Sequence, residues 1–369
     1  MQPIKITHLI FCVLVMASLL AACTPASTPQ PRMTDPRPAT AVPPTATPAP
    51  TDTPKATPTS TSGLSPDEFM ARQDPIAWLG WAADGRTLAV SASSGLYLLD
   101  AQDGSSPRLL DKSEFIFPET LDPQGKYLLA GNHVWDLASG KLLYRLSSTN
   151  INSAAFSPDE KTLALGENNS ITLWDATTGK FQKSIGIGLG PGTVFFGLAF
   201  DAGGNRLYAD YADGKVRSLD LVSGKSTDLF SLPGRNCCNA IGPGGLRMLV
   251  DFSDHGAGHK ELWDVQSGKM LINAEHCDND VNFSAFSADG RYFSTGPCGL
   301  DARIWDIETL KLLHSFPSTT APGSIHPEWR AGAFSPDSSQ IALANDVGEV
   351  LIWDLTNYQL VKTLALPHQ

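Results

Sequence analysis

One part of the chain concentrates the side chain types that bind metals or form disulfides. Its members are Cys237, Cys238, His255, His259, His276, Cys277 and Cys298, with Asp254, Asp278 and Asp280 nearby. Thiolate sulfur and imidazole nitrogen are the ligands that zinc and copper prefer. Their spacing matches no standard ligand motif. The alternatives are therefore disulfide bonding or a metal site built from His255, His259, His276, Cys237 and Cys238.

A second candidate is the stretch from Pro317 to Arg330, which mixes aromatic and charged side chains near the end of the chain. Its chemistry-bearing members are His326, Glu328, Trp329 and Arg330. Trp and Arg are common anchors of protein interfaces. These four residues are a candidate contact for a partner; the alternative is a packed loop that caps the last repeat.

The usual signatures of catalysis are missing from the sequence. No Gly-x-Ser-x-Gly elbow and no His-Glu-x-x-His pair occurs. The glycine-rich run from Gly186 to Gly192 lacks the Lys-Ser/Thr that follows a phosphate-binding loop. We therefore expect no catalytic residues, no cofactor and no enzyme activity.

The segment from Asn150 to Ile185 shows which elements position these residues. Its alternating pattern predicts four short strands, at Ile151–Phe156, Thr162–Leu165, Ile171–Asp175 and Phe181–Ile185. Ser157-Pro158-Asp159-Glu160 has the composition of a tight turn. One such sheet cannot bury both of its faces, so it must stack against copies of itself.

Two anchors recur together through the C-terminal part of the chain. The first is an apolar residue followed by a turn, at Trp81, Leu121, Phe156, Phe200, Ile241, Phe286 and Phe334. The second is Trp-Asp, with the tryptophans Trp135, Trp174, Trp263, Trp305 and Trp353, and with Leu99-Asp100 and Leu219-Asp220 in the same place. A glycine follows the aspartate by four residues except in the last two units, which have Leu310 and Tyr358 there.

The paired anchors resemble the WD-repeat family, from about Asp74 to the C-terminus. The resemblance implies an all-β fold, a seven-bladed β-propeller of four-stranded antiparallel sheets spanning residues 64–369, with the anchor aromatics in its core. The chain departs from the family pattern because it lacks the Gly-His pair before the first strand of each unit. The last unit has four strands of its own, so we expect the first and last blades to pack without exchanging a strand.

The propeller topology places the cysteine and histidine residues on one face. Loops from the second to the third strand, and from an outer strand to the next blade, share that face, and units five and six carry these residues there. The N-terminal apolar run from Leu9 to Leu20 predicts export from the cytoplasm. An exported protein meets oxidising conditions, which favour disulfides. We expect a disulfide between Cys277 and Cys298, whereas Cys237 and Cys238 either pair with each other or stay reduced.

The first 63 residues have the composition of an export leader and a spacer. The apolar run from Leu9 to Leu20 is typical of a signal peptide over residues 1–22, and Leu20-Ala21-Ala22-Cys23 resembles the processing site of bacterial lipoproteins, with Cys23 as the lipid attachment site. The alternative is an ordinary signal peptide with an incidental cysteine. Residues 24–63 contain 11 prolines among threonine, alanine and serine. This composition predicts a disordered, extended linker over residues 23–63, with a reach on the order of 100 Å.

Charge and fold together favour a binding protein. The formal net charge of −11 opposes nucleic-acid binding. We expect a monomeric, lipid-anchored propeller outside a bacterial cytoplasm that acts as a scaffold or sensor for an unknown protein or envelope polymer. The alternative is a propeller enzyme or a metal-binding protein that uses the Cys/His-rich face of blades 5 and 6.

Overall fold

A computed structural model of the chain describes the propeller region with short gaps. The residues described are 73–104, 107–113, 117–187, 194–233, 236–254, 257–277, 283–298, 301–317 and 327–367. The predicted leader, Cys23 and the linker lie outside these ranges, so these expectations stay predictions.

The described residues form seven antiparallel sheets, each built from four consecutive strands. The first four blades are β1 (Ile76–Trp81), β2 (Thr87–Ala92), β3 (Gly95–Asp100), β4 (Arg108–Asp111); β5 (Glu119–Leu121), β6 (Tyr127–Ala130), β7 (His133–Asp136), β8 (Lys141–Arg145); β9 (Ile151–Phe156), β10 (Thr162–Glu167), β11 (Ser170–Asp175), β12 (Phe181–Gly186); and β13 (Phe195–Phe200), β14 (Arg206–Tyr211), β15 (Lys215–Asp220), β16 (Ser226–Ser231).

The remaining three blades complete the ring. They are β17 (Asn236–Ile241), β18 (Arg247–Asp254), β19 (Ala257–Asp264), β20 (Lys269–Cys277); β21 (Phe283–Phe286), β22 (Tyr292–Cys298), β23 (Asp301–Asp306), β24 (Leu312–Pro317); and β25 (Trp329–Phe334), β26 (Gln340–Asn345), β27 (Glu349–Asp354), β28 (Leu360–Ala365). A 3₁₀ turn at Pro243–Gly245 follows β17. The predicted seven-bladed β-propeller is confirmed.

The first strand of each blade is the innermost. Each first strand contacts the first strands of its neighbours, and β25 of the last blade contacts β1 of the first. The strands predicted from the third unit agree closely with β9 to β12, because its turns and its alternation are both strong.

Blade 1 and blade 7 close the ring by packing, as expected, because neither borrows a strand from the other. The backbone N–H of Asp74 donates to the carbonyl oxygen of Asp346 at 3.1 Å. Across the same junction, Trp81 Nε1 donates to the carbonyl oxygen of Ala333 at 3.2 Å. One apolar cluster spans both blades, from Ile76 and Val90 to Ile352. Hydrophobic burial therefore holds the seam together.

The anchor aromatics lie between blades. The five tryptophans of the Trp-Asp pairs are buried: Trp135, Trp174, Trp263, Trp305 and Trp353. The small residue before the first anchor is also explained at Gly80, where a Cβ atom would overlap the ring of Trp78 in the same strand and lie 2.7 Å from Leu121 of the next blade. Blade packing therefore fixes the size of both positions.

The aspartate of each Trp-Asp position caps the turn that follows it. In blade 6, Asp306 Oδ1 accepts hydrogen bonds from the N–H and the hydroxyl of Thr309, both at 2.7 Å. Glycine, Leu310 or Tyr358 then takes a positive φ, which is 57° at Leu310 and 56° at Tyr358. The turn conformation is thus kept in the two units that lack glycine.

Candidate functional site

The propeller has two faces that differ in their loops. We call the upper face the one formed by loops from second to third strands and from each outer strand to the next blade. The lower face carries the first-anchor turns and the aspartate turns. This assignment follows from the antiparallel order of every sheet.

Blade 5 extends further toward the upper face than its neighbours. Strands β18 and β19 have eight residues and β20 has nine, compared with six in each of β14 to β16 in blade 4 and with seven, six and six in β22 to β24 of blade 6. The backbone register in this extension sets His259 opposite His276 and Gly258 opposite Cys277. The structure therefore brings together the strand positions of three predicted site residues.

His259 is the member of this group whose surroundings the structure describes. Its ring stacks on Phe252 with centroids 4.7 Å apart, and its Nε2 lies 3.4 Å from Oε1 of Glu261. The other carboxylate oxygen of Glu261 accepts a hydrogen bond from Trp263 Nε1 at 2.9 Å. An imidazole nitrogen and a carboxylate oxygen are thus held close together at the upper end of blade 5.

The rest of the predicted metal set lies beyond what the structure describes. His255 is outside the described residues, as are the side chains of Cys237, Cys238 and His276. Among the side chains that are described, no group of three or more histidine, cysteine or acidic residues could hold a metal ion. The metal site stays a prediction.

The predicted disulfide partners end strands on the upper face. Cys277 is the last residue of β20, Cys298 is the last residue of β22, and these two strands contact each other. The backbone positions are strand ends and not the loops expected from the sequence. The side chains of both cysteines lie outside the described residues, so the disulfide stays a prediction.

Trp329 belongs to the core of blade 7. It begins β25, is 1% exposed, and donates from Nε1 to the carbonyl oxygen of Phe316 at 3.0 Å. The predicted partner contact at Trp329 therefore does not lie on the surface. His326 lies outside the described residues.

A signal in the sequence identifies the buried position of Trp329. It stands five residues before the first anchor Phe334, and five other units have an apolar residue at that place: Ile76, Ile116, Ile151, Phe195 and Val281. Ile76, Ile151 and Phe195 lie within the described residues, and all three are buried. Alignment to the anchor predicts a core residue here, whereas the composition of the segment indicated a surface loop.

Glu328 and Arg330 are the accessible members of this predicted contact. Arg330 Nη2 lies 3.0 Å from Glu328 Oε2, and their side chains are 37% and 46% exposed. The N–H of Glu328 donates to Asp346 Oδ1 at 3.0 Å. Burial raises the pKa of Asp346, although the hydrogen bond from Glu328 and the charge of Arg330 oppose this effect. The upper edge of blade 7 thus presents one accessible ion pair.

Phe117 is the most exposed large aromatic side chain of the described residues. It precedes β5 on the upper face and is 73% exposed. It stands four residues before the first anchor Leu121, just as Arg330 stands four residues before Phe334. Both residues therefore lie at the upper ends of inner strands.

No helix in the described part of the chain combines the length and apolar character that crossing a membrane requires.

Comparison with known proteins adds to this geometry. Residues 140–175, which include β9 to β11 of blade 3, match the family described as WD domain, G-beta repeat. The comparisons support a WD-repeat β-propeller. Propellers of this family are generally non-catalytic scaffolds that bind protein partners.

Three relatives of the chain in this comparison are eukaryotic proteins. Protein tipD of Dictyostelium discoideum is 26% identical over 64% of this chain and 38% of its own length. Autophagy-related protein 16 of Arabidopsis thaliana is 25% identical over 63% of this chain and 45% of its own length. THO complex subunit 3 of Arabidopsis thaliana is 22% identical over 76% of this chain and 92% of its own length. The chain spans less than half the length of the first two relatives.

Proposed function

We propose that the protein is a lipid-anchored scaffold or sensor outside a bacterial cytoplasm, and that its WD-repeat propeller binds a protein partner through the upper face. The propeller and its likeness to WD-repeat proteins support a protein-binding role. The box Leu20-Ala21-Ala22-Cys23 and the proline-rich stretch after it support an anchor and a spacer. Catalysis forms no part of the proposal.

One observation favours the upper face over the lower face as the binding surface. Phe117 offers an aromatic side chain that is 73% exposed, and Arg330 offers a charged group at the corresponding end of another inner strand. Aromatic residues and arginine are enriched in protein interfaces relative to other surfaces. The lower face exposes Leu246 and Val222, which are aliphatic.

The anchor is tested by fractionation of cells that express the full chain. Cys23→Ala removes the thiol that would carry the lipid, so we expect the protein to move from the membrane fraction to the soluble or secreted fraction. Cys12→Ala, inside the apolar run, is the matched control and should leave the protein in the membrane fraction. Equal membrane association of both variants contradicts the anchor.

The binding role is tested by affinity isolation from envelope extracts with variants of each face. Phe117→Ser and Arg330→Glu should each reduce recovery of a specific partner about tenfold or more, since interface anchors commonly contribute over about 1.4 kcal/mol. Leu246→Ser on the lower face should leave recovery unchanged. Equal recovery with all three variants contradicts binding by the upper face.

A metal-binding role is the second candidate, and the register of His259 with His276 favours it. Opposed residues of an antiparallel pair bring their Cβ atoms within about 4.5–5.5 Å, a separation that suits two imidazole ligands. Metal analysis of protein purified without a histidine tag checks this role. A stoichiometric metal that is lost in His259→Ala supports it, and metal-free protein rejects it.

A further inference from the structure

Two charged residues of blade 5 lie on the side of its sheet that packs against blade 6. Alternation along the strands places Asp251 on the same side of β18 as Leu249, and Lys260 on the same side of β19 as Leu262. Leu249 and Leu262 are fully buried in the apolar cluster that joins blades 5 and 6. The two charges therefore continue an apolar interface.

The two side chains are in direct contact. Asp251 and Lys260 are paired across β18 and β19, and Lys260 Nζ lies 2.7 Å from Asp251 Oδ1. The Lys260 side chain is 0% exposed and that of Asp251 is 6% exposed. Solvent therefore does not separate the amine from the carboxyl group.

Ser284 of blade 6 completes the arrangement. Lys260 Nζ donates to Ser284 Oγ at 2.6 Å, and Ser284 Oγ lies 3.5 Å from Asp251 Oδ1. Nζ is thus in contact with both oxygens, and the hydroxyl lies beside the ion pair. A hydroxyl both accepts and donates a proton, so it links the two groups.

Burial disfavours the charged form of Asp251. Desolvation raises the pKa of Asp251, and the charge and hydrogen bond of Lys260 only partly oppose that effect. Two buried charges are costly even when they are paired. A proton transfer from ammonium to carboxylate gives a neutral amine next to a neutral carboxylic acid, and these are the forms that react to give an amide.

We propose that Lys260 and Asp251 form an intramolecular isopeptide bond, assisted by Ser284. A proton passes from Nζ to the carboxylate across their direct contact, while the hydrogen bond to Ser284 Oγ holds Nζ in place. The Nζ lone pair then attacks Cγ of Asp251 and forms the N–C bond. The bond from Cγ to the protonated oxygen breaks, and the hydroxyl leaves with a proton from the nitrogen as one water molecule.

The reaction balances without an oxidant, a reductant or another reactant. Its product is a neutral amide, so the cost of burying two charges disappears. The bond joins β18 to β19 just below the extended part of blade 5, next to the pair formed by Phe252 and His259. The crosslink is independent of the proposed membrane anchor and of any partner.

Peptide mapping of the purified full chain tests the proposal. After denaturation, reduction and alkylation, trypsin cleaves a free lysine at position 260 and releases residues 248–260 at their full mass. The isopeptide blocks that cleavage. We expect instead residues 248–269 as one peptide, lighter than its sequence by one water molecule. Dehydration at an aspartate alone leaves Lys260 cleavable, so the missing cleavage separates the two causes.

Variants identify the roles of the three residues. Lys260→Arg keeps a positive charge but removes the nucleophilic amine, and trypsin also cleaves after arginine, so residues 248–260 should be released as a separate peptide with no loss of water. Ser284→Ala should lower the modified fraction severalfold, because Nζ then loses the hydrogen bond that holds it against the carboxyl group. If the unaltered protein yields residues 248–260 at full mass, the pair is a salt bridge only and the proposal is overturned.

Discussion

Tyr144, on the outer strand of blade 2, covers Gly179 in the aspartate turn of blade 3. Its Oη donates a hydrogen bond to the carbonyl oxygen of Ala176 in that turn. Gly179 has a φ of 66°, and a Cβ atom there would overlap the tyrosine ring. Similar contacts recur between blades, with Phe230 against Gly268 and Leu364 of blade 7 against Gly104 of blade 1. Outer strands therefore fix neighbouring turns around the ring.

This packing predicts unequal costs for two glycine substitutions. Gly85 has a φ of 61° but no neighbouring atom within 4 Å of an added Cβ. Gly85→Ala should lower the free energy of unfolding by about 1–2 kcal/mol, from the backbone alone. Gly179→Ala should lower it by about 2–5 kcal/mol, because steric overlap adds to that cost. Urea unfolding measures both values, and equal costs contradict the role of Tyr144.

Backbone strain at Glu160 predicts that replacing this residue with glycine stabilises the protein. It has a φ of 59° in the first-anchor turn, where most units have glycine. Glu160→Gly should raise the free energy of unfolding by about 0.5–1 kcal/mol, since glycine adopts this conformation without strain. Glu308→Gly in an aspartate turn, at a position without positive φ, is the control and should destabilise the protein. A loss of stability in Glu160→Gly contradicts the prediction.

The aspartate turns predict a loss of stability in acid. The hydrogen bonds from the N–H and hydroxyl of Thr309 lower the pKa of Asp306. Its contribution is therefore present above the unfolded pKa of about 3.9 and is lost as pH falls through the lower folded pKa. Asp306→Asn should be less stable than the unaltered protein at pH 7, and the difference should shrink below about pH 3.9. Chemical unfolding at several pH values measures this.

The matched control is Glu308→Gln, which removes an exposed carboxylate from the same turn. Its stability should follow that of the unaltered protein at every pH. A stability difference for Asp306→Asn that does not vary with pH would show that the ionised carboxylate of Asp306 does not stabilise the turn.

Glu119 predicts the opposite dependence on pH. Burial raises its pKa from 4.5 to about 7, although a hydrogen bond from Ser91 opposes this. The folded protein therefore binds the proton more strongly than the unfolded chain, and stability falls as pH rises from about 4.5 to about 7. Glu119→Gln should remove that fall and stabilise the protein at pH 8. Melting temperatures compared at pH 5 and pH 8 check it, and an unchanged difference between them refutes it.

The sequence predicts the ring well because local and repeated signals agree. The anchors at Phe156 and Trp174 set the ends of strands, and their recurrence gives the number of blades. Leu310 and Tyr358 keep the turn conformation without glycine because the aspartate cap and the neighbouring strands determine it. Comparison of the repeated units therefore predicts the turn conformation at positions where the residue type alone does not.

The candidate sites are harder to predict because they depend on contacts between blades. Trp329 has the composition of a surface anchor, yet its alignment to Phe334 and the carbonyl of Phe316 place it in the core. Lys260, Asp251 and Ser284 are separated in sequence, and only strand register and blade packing bring them together. No local pattern in the sequence contains that information.

Photo-crosslinking in intact cells tests the central claim most directly. A photoreactive amino acid is introduced at Phe117 on the upper face, or at Leu246 on the lower face, since their side chains are 73% and 58% exposed. We predict that position 117 captures one defined protein in the membrane fraction and that position 246 captures none. Capture of the same protein from both positions, or from position 246 alone, contradicts binding through the upper face.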